Sequence, residues 1–167
     1  MKRRTLLISA LAASLPIRAQ TRLPKTGDEL PAGLPQPGES IDLWPLGAPG
    51  MPNPEPVEAV TERSADPQLA DLAVRGITTP RMAVFRPAVP NGAAVMVAPG
   101  GGYRHVVIDK EGYEIGRWLS ARGFTVFVLF YRLPAEGWEA GPNVSLSDAQ
   151  RAMRIIRSRA GEYGIDP

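Results

Sequence analysis

"AAVMVAPGGGYRHVVIDKEGYEIGRWLSARGFTVFVLFYR", Ala93 to Arg132, sets two dense apolar runs on either side of a polar, helix-favouring stretch. Ala93 to Ala98 is continuously apolar, as expected of a strand covered on both faces in a mostly parallel sheet. In "EGYEIGRWLSARG" the apolar residues Ile115, Trp118 and Leu119 share one helical face, and Gly123 is placed to stop the helix. "FTVFVLFYRLP" is the second apolar run, bounded by Pro134. Strand, helix and strand within about forty residues form a βαβ unit. The expected fold is therefore α/β, with Ala93–Ala98 as a central strand.

Toward the carboxyl end, "VSLSDAQRAMRIIRSRAGEYG" carries Leu146, Ala149, Met153, Ile156, Ala160 and Tyr163 at three- and four-residue spacings, which predicts an amphipathic helix. Ser147 with Gln150 matches a capping box, with Ser145 as the alternative cap. Arg151, Arg154, Arg157 and Arg159 fall off the apolar face among acidic residues and read as a solvated face rather than a nucleic-acid patch. In a doubly wound sheet such a helix returns the chain to a further parallel strand, and "YGIDP" is followed by none. The expectation is the amino-terminal part of a doubly wound, mostly parallel sheet, incomplete at its carboxyl end.

Toward the amino end, "AVRGITTPRMAVFRPA" suggests two short strand segments at the border of the sheet, interrupted by Gly76 and Pro80, with regular structure beginning near Ala73. Residues 20–56 are rich in proline and glycine, which removes backbone donors and favours extended geometry, so they read as a linker and irregular lead-in. Within them, Ile41 to Gly50 has enough apolar content to pack on the domain surface. Residues 57–167 are the expected partial domain. Residues 1–19 have a basic start (Lys2, Arg3, Arg4) and an apolar stretch from Leu6 to Leu15 too short to span a bilayer. They read as an export signal rather than an amphipathic amino-terminal helix or membrane anchor, with Arg3-Arg4 resembling the twin-arginine type. The expected location is periplasmic or secreted, with no stable membrane span after cleavage.

Composition narrows the chemistry. The 167 residues are 44% hydrophobic and 22% charged, with a net charge of +2, so nothing electrostatic points to nucleic acid. There is no cysteine and one histidine, His105, which removes disulfides and thiolate metal sites and leaves no metal or cofactor expected.

The glycines Gly100, Gly101 and Gly102 follow a strand and precede a helix, at the sheet edge where open α/β folds place ligands. A dinucleotide fingerprint needs a third glycine or alanine where His105 stands, and the next strand ends in Phe130-Tyr131-Arg132 with no acid for a ribose. A phosphate loop lacks its Gly-Lys-Ser/Thr. An oxyanion hole fits better: acyl transfer builds negative charge on a carbonyl oxygen, and backbone N–H groups aimed at it stabilise the transition state. Glycines let the main chain turn sharply and let an ester approach without a Cβ in the way. A flexible turn without a ligand is the bland alternative.

The segment "VMVAPGGGYRHVVIDKEGYEIGRWLSARGFTVFVLFYRLP", followed by "SDAQRAMRIIRSRAGEYGIDP", resembles the amino-terminal half of α/β-hydrolase esterases of the acetylxylan and feruloyl esterase-like group. "PGGGY" is similar to that family's variant of a His-Gly-Gly-Gly oxyanion motif, with Pro99 in the place of the histidine. The resemblance runs from about Thr79 to Pro167. It implies a Ser-Asp-His hydrolase of acyl esters, plausibly acetyl groups on plant polysaccharides, with Gly101, Gly102 and Tyr103 contributing the oxyanion donors. In the family the Gly-x-Ser-x-Gly elbow follows a segment like "YGIDP", and acid and histidine come later; none of the three is present here. No residue is assigned as catalytic, and the chain alone is expected to be inactive and poorly soluble.

The remaining candidates have modest readings. His105 precedes the place of the nucleophile, whereas this fold orders its triad Ser, Asp/Glu, His, so it reads as a loop residue that orients the turn or touches substrate. Trp138 lies in a loop at the same sheet edge and either covers the substrate site or simply packs. Asp109, Glu111 and Asp148 sit near helix starts, where the dipole stabilises acids. A shortened, non-catalytic carbohydrate-binding or scaffold protein on the same sheet is the competing class.

Overall fold

A computed structural model describes residues 37–66 and 69–166; the export signal expected at residues 1–19 and residues 20–36 of the expected linker lie outside the described residues. Among the described residues, seven strands form two sheets: β1 (Glu39–Asp42), β2 (Ala59–Glu62), β3 (Leu72–Arg75), β4 (Arg81–Phe85), β5 (Ala94–Val97), β6 (Val106–Val107) and β7 (Thr125–Phe130). The larger sheet has the order β1-β4-β7-β5, and the smaller β2-β3-β6. The helices are α1 (Glu114–Ser120), entered through a π-helical turn Asp109–Tyr113, then α2 (Val144–Ser158) and α3 (Ala160–Tyr163).

The βαβ unit is present, and β5 pairs parallel to β7 with Val95 opposite Val126. The helices cover both faces of the sheet. Val128 meets the side of Gly112 where the helical segment begins, while its neighbour Phe127 stacks edge-on against Tyr163 at 5.0 Å. Consecutive strand residues point to opposite faces, so the α1 segment and the α2–α3 segment lie on opposite sides. β7, whose six residues are all buried, is the strand covered on both faces.

Several expectations are corrected. The larger sheet is mixed rather than mostly parallel, because β1–β4 and β4–β7 are antiparallel. Only β5 and β7 are joined through a helical crossover, the connection a parallel pair requires. β5 is an edge strand with Ala94 exposed, and β7 holds the interior position instead. Of the two segments expected at the sheet border, β4 lies inside the larger sheet and β3 belongs to the smaller one. Regular structure also begins earlier than Ala73, since "ESID" pairs with β4 and "AVTE" with β3.

The helix faces shift by about one position. The face that α1 and its leading turn bury carries Gly112, Gly116 and Ser120, while Ile115 and Trp118 are exposed. A Cβ at Gly116 would lie 2.7 Å from the Phe85 ring, so this helix packs by its small residues. α2 starts at Val144 with Asn143 as cap, and neither Ser145 nor Ser147 caps it: the Ser147 hydroxyl donates back to the Asn143 carbonyl. Its buried side is Ser145, Asp148, Ala152 and Ile156, whereas Leu146 is 56% exposed and Met153 lies open. At the end of the described chain the Asp166 N–H donates to the Gly92 carbonyl at 2.9 Å, which brings the chain back beside the start of β5.

The lead-in is tied down by chemistry that composition alone does not reveal. Leu43 is fully buried, and the Arg151 side chain donates to its carbonyl. Arg132, 1% exposed, pairs with Asp148, 0% exposed, and also donates to the Pro49 carbonyl at 2.7 Å. No helix of the described residues is long and apolar enough to cross a membrane.

Candidate functional site

The loop Pro99–His105 leaves the carboxyl end of β5 and turns sharply before β6. Gly101, Gly102 and Tyr103 have φ values of 137°, 63° and 58°, three consecutive residues in a region that L side chains avoid. A β-turn closes on itself where the Arg104 N–H donates to the Gly101 carbonyl at 3.2 Å, and the Val107 N–H donates to the Gly100 carbonyl at 2.9 Å. Upstream, the Tyr131 hydroxyl donates to the Pro99 carbonyl and the Gly100 N–H donates to Glu111 Oε2, each at 2.7 Å. The N–H groups of Gly101, Gly102 and Tyr103 have no partner among the described residues.

The three glycines are needed for different reasons. At Gly101 a Cβ would collide with the His105 carbonyl, and the φ is forbidding as well. At Gly102 a Cβ would meet nothing within 4 Å, so only the backbone conformation and the approach of a ligand favour glycine. At Gly100, whose φ is ordinary, a Cβ would lie 2.6 Å from Glu111 Oε2.

The loop forms one wall of a cleft of about 450 Å³. Gly100, Gly102 and Tyr103 line it from the loop, Tyr131 from the end of β7, and Ser145 and Leu146 from α2. Tyr103 is 61% exposed. Burial pushes the Tyr131 hydroxyl above the usual phenol range, with Tyr103 and Glu111 adding to the effect, so it remains a neutral donor to Pro99.

The other candidates separate. His105 Nε2 lies 2.8 Å from an Arg63 Nη, in an exposed cluster that continues to Asp71 and Lys110, and its backbone carbonyl backs Gly101. It is not among the cleft-lining residues. Trp138 is 3% exposed, packed with Ala48 and Val144 and 4.7 Å beneath the Arg132 guanidinium, also away from the lining. Ser145 lines the cleft, yet its hydroxyl donates to the Arg132 carbonyl at 2.7 Å and no histidine adjoins it. The described residues hold no Ser–His pair of the kind acyl transfer uses.

The three acids do more than answer a helix dipole. Asp109 is buried; burial raises its carboxyl above the usual range, opposed by the Leu72 N–H that it accepts at 3.3 Å. It therefore links the helix start to β3. Asp148 neutralises Arg132, and Glu111 holds the glycine loop. Sequence reasoning missed the Arg132–Asp148 pair although both residues stood in plain view, because a sixteen-residue separation across two loops gives no local signal. Among the described residues, no group of acids and histidine is placed to hold a metal ion.

No family model matches the chain. Over 87 residues, 52% of the chain, it is 34% identical to an acetylxylan esterase of Xylanibacter ruminicola, of which it covers 17%. In fold it is similar to the acetyl ester-xyloside bifunctional hydrolase of Caldicellulosiruptor lactoaceticus, with a TM-score of 0.53 and 27% identity over 81% of this chain and 42% of that one. The chain thus spans well under half the length of the relatives it matches.

Proposed function

We propose that this chain carries the oxyanion-binding half of an exported serine esterase that hydrolyses acyl esters, principally acetyl esters on plant polysaccharides. The observation that carries the reading is the run of three unpartnered N–H groups at Gly101, Gly102 and Tyr103, beside a cleft at the carboxyl end of β5.

The chemistry follows from that run. When a nucleophile adds to the ester carbonyl carbon, the π electrons move onto oxygen, and the new anion needs donors already in place. Each such donor contributes about 3 kcal/mol in a site that excludes water. The loop is a turn with positive φ at three consecutive residues, and successive N–H groups in turns form the concave arrangements that bind anions elsewhere. Tyr103 and Leu146 border the space left for the acyl or alcohol group. His105 and Trp138 act behind this surface, the first by backing Gly101 and the second by packing under Arg132. The nucleophile, acid and base are contributed by residues outside these 167, which contain no Gly-x-Ser-x-Gly.

The test is to express the full reading frame of the gene and assay acetate release from an aryl acetate, with the 167-residue chain assayed in parallel. The full product is expected to turn over and to lose activity with Gly101→Pro, which removes one donor and cannot adopt the required φ. The 167-residue chain is expected to show no rate above its own Gly101→Pro control. Binding of xylo-oligosaccharide by the full product without acetate release would replace the esterase reading with a carbohydrate-binding one.

A further inference from the structure

The first glycine of the triplet does not face the anion. Its N–H is already donated to Glu111 Oε2 at 2.7 Å, its φ is ordinary, and the three atoms nearest to a Cβ built there all belong to the Glu111 carboxylate. The same peptide unit is held from its other side, where the Tyr131 hydroxyl donates to the Pro99 carbonyl at 2.7 Å. The next peptides are progressively less constrained. The Gly100 carbonyl accepts from Val107 and the Gly101 carbonyl from Arg104, while the intervening N–H groups have no partner among the described residues.

A glycine-glycine-glycine run is the segment of chain in which a peptide plane flips with the least steric penalty. A flip of the Pro99–Gly100 plane would turn a carbonyl toward the Glu111 carboxylate and remove the acceptor from Tyr131. We propose that Glu111 is a positioning residue for the amide loop, forming with Tyr131 a two-sided clamp on the Pro99–Gly100 peptide, and that Gly100 is glycine to admit this carboxylate. The clamp sets the direction from which Gly101, Gly102 and Tyr103 present their N–H groups. A hydrogen bond to an ionised carboxylate is about twice as strong as a neutral one, which suits a residue on an otherwise exposed rim. Assigning the clamp to an oxyanion loop rests on the esterase reading above; its geometry does not.

The experiment is amide hydrogen exchange over residues 99–103 of the 167-residue chain. Pro99 has no N–H and the amides of 101–103 are unpartnered, so protection in this stretch reports Gly100. Glu111→Ala is expected to speed exchange there about tenfold or more, and Glu111→Gln, whose amide oxygen still accepts, to stay within about threefold of the native chain. Gly100→Ala should reproduce Glu111→Ala by displacing the carboxylate, and the double variant should be no faster than either single one, because both remove the same contact. Unchanged exchange in Glu111→Ala, or additive effects in the double variant, would overturn the clamp. Failure of the full product to cleave esters would leave this exchange pattern standing and remove only the purpose assigned to it.

Discussion

Arg132 and Asp148 meet in the interior through paired contacts, Nη2 to Oδ1 at 2.7 Å and Nε to Oδ2 at 3.0 Å, with both side chains almost fully buried. The pair also gathers neighbours. Asp148 accepts from Trp44 Nε1 at 2.8 Å and from the Arg132 N–H at 3.0 Å, and Arg132 donates to the Pro49 carbonyl. One buried ion pair therefore joins the end of β7, the first turn of α2 and the lead-in 44–49. Asp148→Ala is expected to lower stability by about 3–5 kcal/mol, since it strands a buried guanidinium. Replacing both partners with Met and Leu should also destabilise, unlike many buried pairs, because the Trp44 N–H and the Pro49 carbonyl would each lose a partner at about 1–3 kcal/mol. Urea midpoints of the three chains decide this; a neutral double replacement would show that those neighbours find water instead.

Gly101 and Gly102 should respond differently to the same change. Gly102→Ala places a methyl in open space and costs only the left-handed backbone, about 1–2 kcal/mol. Gly101→Ala adds a collision with the His105 carbonyl, so the turn itself must shift. The expected outcome is near-native exchange at Val107, whose N–H closes onto Gly100, in Gly102→Ala, and lost protection there in Gly101→Ala. Equal behaviour of the two would remove the distinction drawn between space and conformation.

How much of this was legible in the sequence follows from where each signal lies. The βαβ unit and its glycine loop were readable because strand, turn and helix cues are local and consecutive. The edge position of β5 was not, since an apolar run such as "AVMV" states that a strand is at least partly covered and cannot state which neighbours stand beside it. The α1 segment misled for a different reason. Its large residues Ile115 and Trp118 suggested the packed face, but close approach to Phe85 selects Gly116, and a glycine carries no hydrophobic signal. β1 and β2 were hidden by the proline-rich composition around them. In the site, the residue types were readable; the partners of Asp109, Glu111 and Asp148 were set by tertiary contacts.

The acid limb of stability should carry the mark of Glu39. Burial opposes its ionisation, but hydrogen bonds from Tyr163, Arg86 and Arg159 outweigh this and hold its carboxyl below the usual range. A folded pKa below the unfolded one means that the unfolded chain binds more protons. The stabilisation is therefore fully present above the unfolded value and is lost as pH falls through the folded one. Glu39→Gln is expected to cost about 1 kcal/mol or less at pH 7, in keeping with a partly exposed network, and the difference should shrink in 1 M salt and disappear in acid. Urea titrations carried from pH 7 progressively into acid measure it; a difference that does not shrink as pH falls would point to packing rather than charge.

The outer edge of β5 bears on how this chain behaves at concentration. β5 hydrogen-bonds to β7 on one side and to no strand on the other among the described residues, and Ala94 on it is exposed. Across the cleft, α2 leaves Leu146 and Met153 open to solvent, with Ala149 between them. An unpaired strand edge offers backbone donors and acceptors to any other edge, and an apolar helix face nearby adds burial to the pairing. Self-association through this side is the expected outcome, visible as a sedimentation coefficient that rises with concentration. Ala94→Lys and Leu146→Lys should each reduce it, because a charge must then be desolvated in the contact. Neither should change the urea midpoint by more than about 0.5 kcal/mol, since both positions are exposed. A native chain that stays monomeric at every concentration would show that loop or solvent already shields the edge.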